Sequence, residues 1–376
     1  MNTQNRLNLG IVGACGRGAS FKAACDAMGS VVIHAVCDTN EKELAAARER
    51  LGAREKYTDY ATMLEKSELD AVIIGTPMHL HVPQTIAALE RHLHVLSEVT
   101  AGVSVEECRQ LVLAAKASRG IYMMAENYTY MKPNQIIKEL VRQGLFGTPY
   151  YAEGEYIHEL KHMNEHQTPW RRRWQTGVDG ITYGTHSLGP IMQWMPGDRV
   201  KRVCCEGTGV RHIDGTGTPY CQASSTMLCK TGKEALIKIR VDMLSDRPHA
   251  MTNYQLQGTD GAYESARADG DKNRVWLRKL SREMAWTDLD AFHGIAELAE
   301  KYLPSIWRVG GESAAKAGHG GGDYFEVLDF IDAAEGRRAP VIGIHEAMDM
   351  TLPGLLSQQS IAEGGRWIEV PDSRTW

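Results

Sequence analysis

Through Met124, short apolar runs alternate with stretches whose apolar positions recur at helical spacing. The runs lie near 7–12, 31–37, 70–74, 93–96 and 121–124, and the amphipathic stretches near 17–28, 41–50, 82–91 and 104–118. Apolar strands separated by helices predict a doubly wound parallel sheet covered on both faces. After a helical stretch near 131–143 and the turn Gly144-Leu145-Phe146-Gly147, the rhythm changes. Runs at Tyr150–His158, Val200–Gly207, Ser224–Leu228, Ala235–Val241 and Asn253–Gln257 are joined by turn-rich segments, which predicts a large, mainly antiparallel sheet. A Gly-rich segment, Gly310 to Gly322, precedes helices near 323–334 and 345–362. The expected organisation is a dinucleotide-binding α/β domain over 1–125 and an α+β domain with an open sheet over 126–376.

The ends of these strands carry the first chemistry. Leu9 to Gly18 run from a strand into a glycine-rich turn, with Gly13 and Gly18 in the first and third places of G-x-G-x-x-G, Cys15 in the second and Gly16 and Arg17 following. A strand stopping at such a turn before a helix aims backbone N–H groups and the positive helix end at one point, where a pyrophosphate fits. Val36-Cys37-Asp38 ends the second run about twenty residues on, which places Asp38 where a carboxylate accepts from ribose hydroxyls. No arginine beside Asp38 offers to neutralise a 2′-phosphate, so NAD is expected over NADP. Thr76, Pro77, His79 and His81 follow the next main strand, Glu98 ends another, and Glu126-Asn127 follow a third. All sit at the carboxyl edge, where open α/β sheets bind ligands. Glu98 has a plainer reading, as a cap for the helix starting at Ser104.

Composition narrows the class. With 47 Asp and Glu against 42 Lys and Arg in 376 residues, the chain has no general attraction to nucleic acid. The densest basic run, Arg171-Arg172-Arg173 between Trp170 and Trp174, reads as a substrate-facing or structural loop. The 8 cysteines follow no zinc spacing and read as reduced thiols. A first strand beginning near Leu7, with no apolar run of about twenty residues, leads to the expectation of a cytoplasmic protein without membrane spans.

In the second half, Tyr183 and His186 stand three apart at the start of an apolar helix, and between them could move a proton at neutral pH. Tyr156 and His158, two apart on a predicted strand, face the same way. His158, His162 and His166 recur every four residues, but the preceding strand and the polar, loop-like stretch after it argue against a metal site, and none is expected. An uncovered apolar face on the second sheet would be costly in water, so a homo-oligomer is expected.

Together these motifs resemble the Gfo/Idh/MocA oxidoreductase family. The marks are the glycine turn, Thr76-Pro77-Met78-His79-Leu80-His81, the Glu98 strand end and Gly144-Leu145-Phe146-Gly147. Ordinary dehydrogenases of that family carry Glu-Lys-Pro where this chain has Glu98-Val99-Thr100, and an aspartate where it has Thr182. Instead, Glu98-Val99, Met123 to Asn127, Val141 to Gly147, Ala152 to His158, Thr185 to Pro190, Gly318-His319-Gly320-Gly321 with Asp323, and Glu369 to Asp372 are similar to the NAD-dependent glycosidase branch typified by α-N-acetylgalactosaminidases. The resemblance implies NAD in the first domain, an oligomer (dimer or tetramer) formed through the second sheet, and a small sugar or glycoside substrate. It implies Glu126, Tyr156, His158, Tyr183 and His186 around nicotinamide and sugar, with His186 and Tyr183 as acid and base, and His319 as a substrate contact. The implied reaction is hydrolysis by C3 oxidation, elimination, hydration and re-reduction. A glycoside 3-dehydrogenase and a non-catalytic nucleotide-binding regulator are the other readings.

Overall fold

A computed structural model describes residues 6–281, 283–291, 300–315 and 317–376. These described residues divide into two compact units, one drawn from 1–127, 310–348 and 373–376 and the other from 128–309 and 349–372.

In the first unit, β1 (Leu7–Val12), β2 (Val31–Cys37), β3 (Glu55–Tyr57), β4 (Ala71–Ile74), β5 (His94–Glu98) and β6 (Tyr122–Ala125) form one sheet in the order β3-β2-β1-β4-β5-β6. Every pairing is parallel. β4 is buried along its whole length, as are Leu9 and Ile11 of β1, which is why these strands read as continuous apolar runs. The helices between them start at sequence-visible caps. The amides of Glu43, Thr62 and Glu107 donate to the side chains of Asn40, Asp59 and Ser104 at the heads of α2 (Glu41–Leu51), α3 (Tyr60–Lys66) and α5 (Val105–Ala117). Glu107 returns a bond to the amide of Val103, so Ser104 and Glu107 cap α5 without Glu98. Strand β3 and α3 were not anticipated, because Glu55-Lys56-Tyr57 is short, half-exposed and without an apolar run.

The chain end departs from the expected single boundary. Residues 310–348 belong with the first unit, where α10 (Gly322–Ala334) packs on β6 and on α1 (Lys22–Ala27), and the carbonyl of Ile342 accepts from the amide of Met124. Much of the expected Gly-rich segment is helical: α9 spans Ser305–Ala314. Gly310 is there for contact, since a Cβ on it would lie 3.0 Å from the rings of Tyr324 and Phe325.

The second unit is built on a nine-stranded sheet in the order β14-β13-β12-β11-β7-β10-β9-β8-β15. Its strands are β7 (Pro149–Ile157), β8 (Val200–Gly207), β9 (Ser224–Thr231), β10 (Leu236–Asp242), β11 (Ala250–Gly258), β12 (Gly261–Glu264), β13 (Arg274–Leu277), β14 (Thr287–Asp288) and β15 (Ile368–Glu369). The pair of β7 with β10 is parallel and the rest antiparallel. Helix α8 (Thr185–Trp194) packs on β7, β10 and β11, with α6 (Lys132–Arg142) beside it. Beneath them Trp194 is fully buried, its indole N–H donating to the carbonyl of Asn134 at 3.0 Å and its ring edge-on to Tyr254 and Tyr263.

The opposite face of this sheet differs from the expected apolar surface. Tyr151 donates to Glu153 at 2.6 Å, Glu153 pairs with Lys238 across the strands, and Leu228 and Leu236 are half-buried between such groups. Alternation of period two thus places an ion-paired, mixed face there.

Removing the central indole from the second core has a foreseeable cost. Trp194→Ala should lower unfolding free energy by about 3–5 kcal/mol in denaturant titration, as expected for a buried aromatic that also loses a hydrogen bond. A loss below about 1 kcal/mol would show that the core does not depend on it.

Candidate functional site

The glycine turn is shaped by close approach. Gly13 has φ +80°, and a Cβ there would lie 2.5 Å from the carbonyl oxygen of Gly75. One on Gly18 would lie 2.8 Å from Ile11 and 2.9 Å from the carbonyl oxygen of Gly13. At Gly16 the nearest atom would be 3.8 Å away, so the open side of the turn is bare backbone that a phosphate can approach. Cys15 fits the second glycine position by turning its amide to Asp38 Oδ2 at 2.8 Å, while Asp38 Oδ1 accepts from the amide of Asn40 at 2.9 Å. Burial and the neighbouring Asp38 push the Cys15 thiol up to about 11. The turn therefore presents a neutral thiol and a fixed carboxylate, a fit for pyrophosphate and ribose respectively.

The next loop is held from within. Both ring nitrogens of buried His81 lie 2.8 Å from carbonyl oxygens, Nδ1 from Thr100 and Nε2 from Thr76, so this histidine fixes the loop backbone. Thr76 donates to Gln84 at 2.6 Å, and Pro77 and half-buried His79 complete the edge after β4.

Arg17 binds these strand ends together. Its Nε lies 2.5 Å from Glu98 Oε1, its terminal nitrogens lie 3.1 and 3.2 Å from the two oxygens of Asp323, and Glu326 stands 3.9 Å away. Asn127 donates to Asp323 at 2.8 Å, and Nδ1 of His319 is 3.0 Å from the same carboxylate. Burial opposes the charge on Asp323, but the hydrogen bond from His319 and the Arg17 charge hold its carboxyl below the usual range. Glu326 is fully buried with neither oxygen hydrogen-bonded. Burial, Asp323 and Glu98 push its carboxyl well above its ordinary value, which favours the protonated form. Glu126, also fully buried, stands among these acids.

His319 sits in a left-handed turn with Gly320 and Gly321 and belongs to the first unit, with Glu126 and Asn127. Sequence reasoning placed His319 and Glu126 in the second domain and gave Asp323 and Glu326 no role. The available signal was a pair of acids three apart, Asp323 and Glu326, at the head of a helix rich in apolar residues.

In the second unit the structure brings Tyr156, His158, Tyr183 and His186 together. The His186 ring stacks on Tyr128 at 4.2 Å, lies nearly parallel to Tyr156 at 5.7 Å and meets Tyr183 at right angles at 5.2 Å. Tyr156 and His158 are 5.9 Å apart, and His249, just before β11, contacts His158 at 4.1 Å. Two contacts fix His186 against β7 and β11. Tyr254 donates to its carbonyl at 2.5 Å, and Gly154 approaches so closely that a Cβ would lie 2.6 Å from the carbonyl oxygen of Ser187. Burial, together with Tyr183 and Tyr128, raises the Tyr156 hydroxyl well above its ordinary value, so it remains a proton donor. Tyr128 and His249 were not anticipated, because neither stands in a patterned motif.

The other histidines separate. His162 and His166 pair at 4.8 Å on a turn of π-helix instead of a loop, while His158 faces His249. Among the described residues no group of three His, Cys, Asp or Glu is placed to hold a metal, and no helix is long and apolar enough to cross a membrane.

A glycine-cradled nucleotide turn on a parallel sheet, followed by a nine-stranded sheet carrying a Tyr and His cluster, defines a two-part nicotinamide-nucleotide oxidoreductase scaffold. Residues 7–126 match the family described as "Oxidoreductase family, NAD-binding Rossmann fold", 134–264 the "GFO/IDH/MocA C-terminal domain", and 222–375 the "Glycosyl hydrolase 109, C-terminal domain". The chain belongs to the Gfo/Idh/MocA oxidoreductase family, and its first unit is the family's NAD-binding domain. It is 28% identical over 403 residues to the alpha-N-acetylgalactosaminidase of Shewanella oneidensis, covering 97% of this chain and 84% of that one. It is 28% identical over 395 residues to a glycosyl hydrolase family 109 protein of Saccharopolyspora erythraea, covering 97% and 83%. Among solved structures, levoglucosan dehydrogenase with NADH and levoglucosan superposes with a TM-score of 0.79 at 20% identity, covering 97% of this chain and 100% of that one. An oxidoreductase domain protein from Kribbella flavida gives 0.81 at 19%, covering 98% and 100%.

The cluster makes a pH prediction. Burial and His249 lower the His158 pKa from 6.5 to about 4. The unfolded chain takes up this proton first, so the stability contributed is whole above pH 6.5 and lost as pH falls toward about 4. The His158 ring should titrate near 4 by NMR, and His158→Phe should remove part of the acid-side decline; a ring midpoint above 6 would contradict the assigned burial.

Proposed function

We propose that the protein is an NAD-dependent glycosidase whose sugar passes through an oxidised state and is released by hydrolysis without net redox change. The observation that carries this is the packing of His186 against Tyr128, Tyr156 and Tyr183, which supplies proton-transfer groups on a rigid helix and sheet. The match of 222–375 to the glycosyl hydrolase 109 C-terminal domain supports the same reading.

When bound, NAD supplies reversible hydride acceptance. Gly13, Cys15, Gly16 and Gly18 shape the pyrophosphate site, Asp38 takes the ribose, and Thr76, Pro77, His79 and Asn127 line the nucleotide edge. Arg17, Glu98 and His81 hold that edge in position. A carbonyl at C3 of the sugar acidifies the C2 proton, which the base of the His186 and Tyr183 pair removes. The C1 to oxygen bond then breaks with proton donation to the leaving group, water adds, and reduction at C3 restores the sugar. Tyr156 donates to a sugar oxygen, neutral His158 makes a second polar contact, and Glu126 and His319 complete substrate recognition. Two carboxylates at the spacing of common glycosidases are not required by this chemistry.

We further propose a homo-oligomer that covers the mixed face of the second sheet, supported by half-buried Leu228 and Leu236 there, and a reducing cytoplasmic location, supported by 8 unpaired cysteines.

His186→Ala should cut turnover by ~10²- to 10⁴-fold while leaving NAD affinity largely intact. Substrate deuterated at C2 should exchange its label with water during hydrolysis. Full retention of the label, or stoichiometric NADH without glycosidic cleavage, would overturn the proposed cycle. For the cofactor, Asp38→Ala should weaken NAD far more than NADP in calorimetry, and tighter NADP binding by the unmutated protein would refute the ribose assignment.

A further inference from the structure

The basic run between Trp170 and Trp174 lies on a short helix, α7 (Pro169–Trp174), and its three arginines have different fates. Arg172 is committed: it pairs with Asp214 at 2.8 Å, donates to the carbonyl of Pro219 at 2.8 Å and covers the Tyr220 ring. Exposed Arg173 lies over Trp174. Arg171 is turned instead toward the Tyr and His cluster of the second unit. Its guanidinium carbon is 4.5 Å from the Trp170 ring centre and 5.8 Å from that of Tyr183.

Among the described residues no acid pairs with this charge. The side-chain acceptor of Arg171 is Gln175 Oε1, 2.9 Å from one terminal nitrogen, and no carboxylate among the described residues lies within 4 Å of it. Its Nε is shut off from water and has no acceptor. The second terminal nitrogen makes no hydrogen bond among the described residues. A guanidinium is always charged and offers five N–H donors, and leaving one half-buried among aromatic rings without an anion is costly. The charge is felt locally: it adds to burial and His249 in holding His158 neutral, and works against burial at Tyr156. Glu159, the acid that acts on His158, is itself held 3.4 Å from Lys161.

We infer that Arg171 is an anion-binding residue of the substrate site, and that the glycosides this protein takes carry a carboxylate or a sulfate ester on the sugar. The inference rests on the carbohydrate reading of the Tyr and His cluster. Arg171 donates from its uncommitted terminal nitrogen to an oxygen of that group, while Trp170 and Tyr183 flank the guanidinium and keep water from screening the pair.

The test compares nitrophenyl glycosides of one hexose in three forms, neutral, 6-carboxylate and 6-sulfate, on the NAD-loaded protein. One of the two anionic forms should be turned over with a kcat/KM at least ~10-fold above the neutral form, and which one identifies the anion. In Arg171→Gln that preference should collapse by ~10- to 100-fold, and in Arg171→Lys, which keeps the charge, it should fall only partly. Preference for the neutral sugar in the unmutated protein, or an equal loss on all three forms in Arg171→Gln, overturns the assignment. Calorimetry with free hexuronate and inorganic sulfate separates this from the glycosidase reading. If no glycoside is cleaved, binding of either anion that Arg171→Gln abolishes keeps the Arg171 assignment and defeats the hydrolytic one, and failure to bind either defeats the Arg171 assignment. Thermal unfolding of both variants shows whether they are folded, and a misfolded Gln variant leaves the Lys variant to decide.

Discussion

The first unit depends on one guanidinium. Arg17 leaves the glycine turn, crosses to the carboxyl end of β5 and meets the head of α10, so three segments far apart in sequence share one half-buried charge. Its ionic partners would repel one another without it. With it, the Asp323 carboxyl is held below its usual range, the upward push of burial on Glu326 is partly offset, and Glu98 is fixed where β5 ends. The nucleotide edge is therefore positioned by electrostatics acting between loops as well as by the sheet beneath them. The neutral thiol of Cys15 and the bond from its amide to Asp38 extend the same arrangement to the second strand.

The second unit reaches precision by close packing. A strand sets Tyr156 and His158 on one side by its period of two, and a helix beginning at Thr185 sets His186 against them. What fixes the distance is Gly154, where helix and strand backbones come closer than any side chain would allow. Tyr254 holds the same helical turn from the neighbouring strand. The aromatic surround then governs protonation, keeping the Tyr156 hydroxyl bound to its proton and His158 neutral.

Much of this was legible because it repeats. The strands and helices through Met124 announce themselves by apolar periodicity, and the glycine turn and Asp38 by spacing. Tyr183 with His186 and Tyr156 with His158 were legible as pairs because each pair shares a single element. The convergence of both pairs was not, since it depends on a register between strand and helix that no local pattern encodes. Short β3, β14 and β15 escaped because edge strands need few apolar residues, and β12 because it is only four residues long. The acids of α10 escaped because a charge on an apolar helix ordinarily faces water, and only the distant Arg17 explains their burial. The basic run read as a loop is a helix opened by Pro169 and closed by the carbonyl of Arg171 accepting from Gln175 and Thr176.

The division of the chain has a consequence for its synthesis. The first unit begins at the amino end, yet it needs Asp323, Glu326 and the segment through Met348. When the parallel sheet has left the ribosome, Arg17 and Glu98 are present but Asp323 is some 200 residues from being made, a delay of roughly ten to forty seconds at ordinary elongation rates. Throughout that interval a nascent glycine turn carries a guanidinium with two of its three anions missing. The nucleotide domain thus starts folding before the second unit has been made and cannot finish until after it, and its completion reports that the chain through Met348 has arrived.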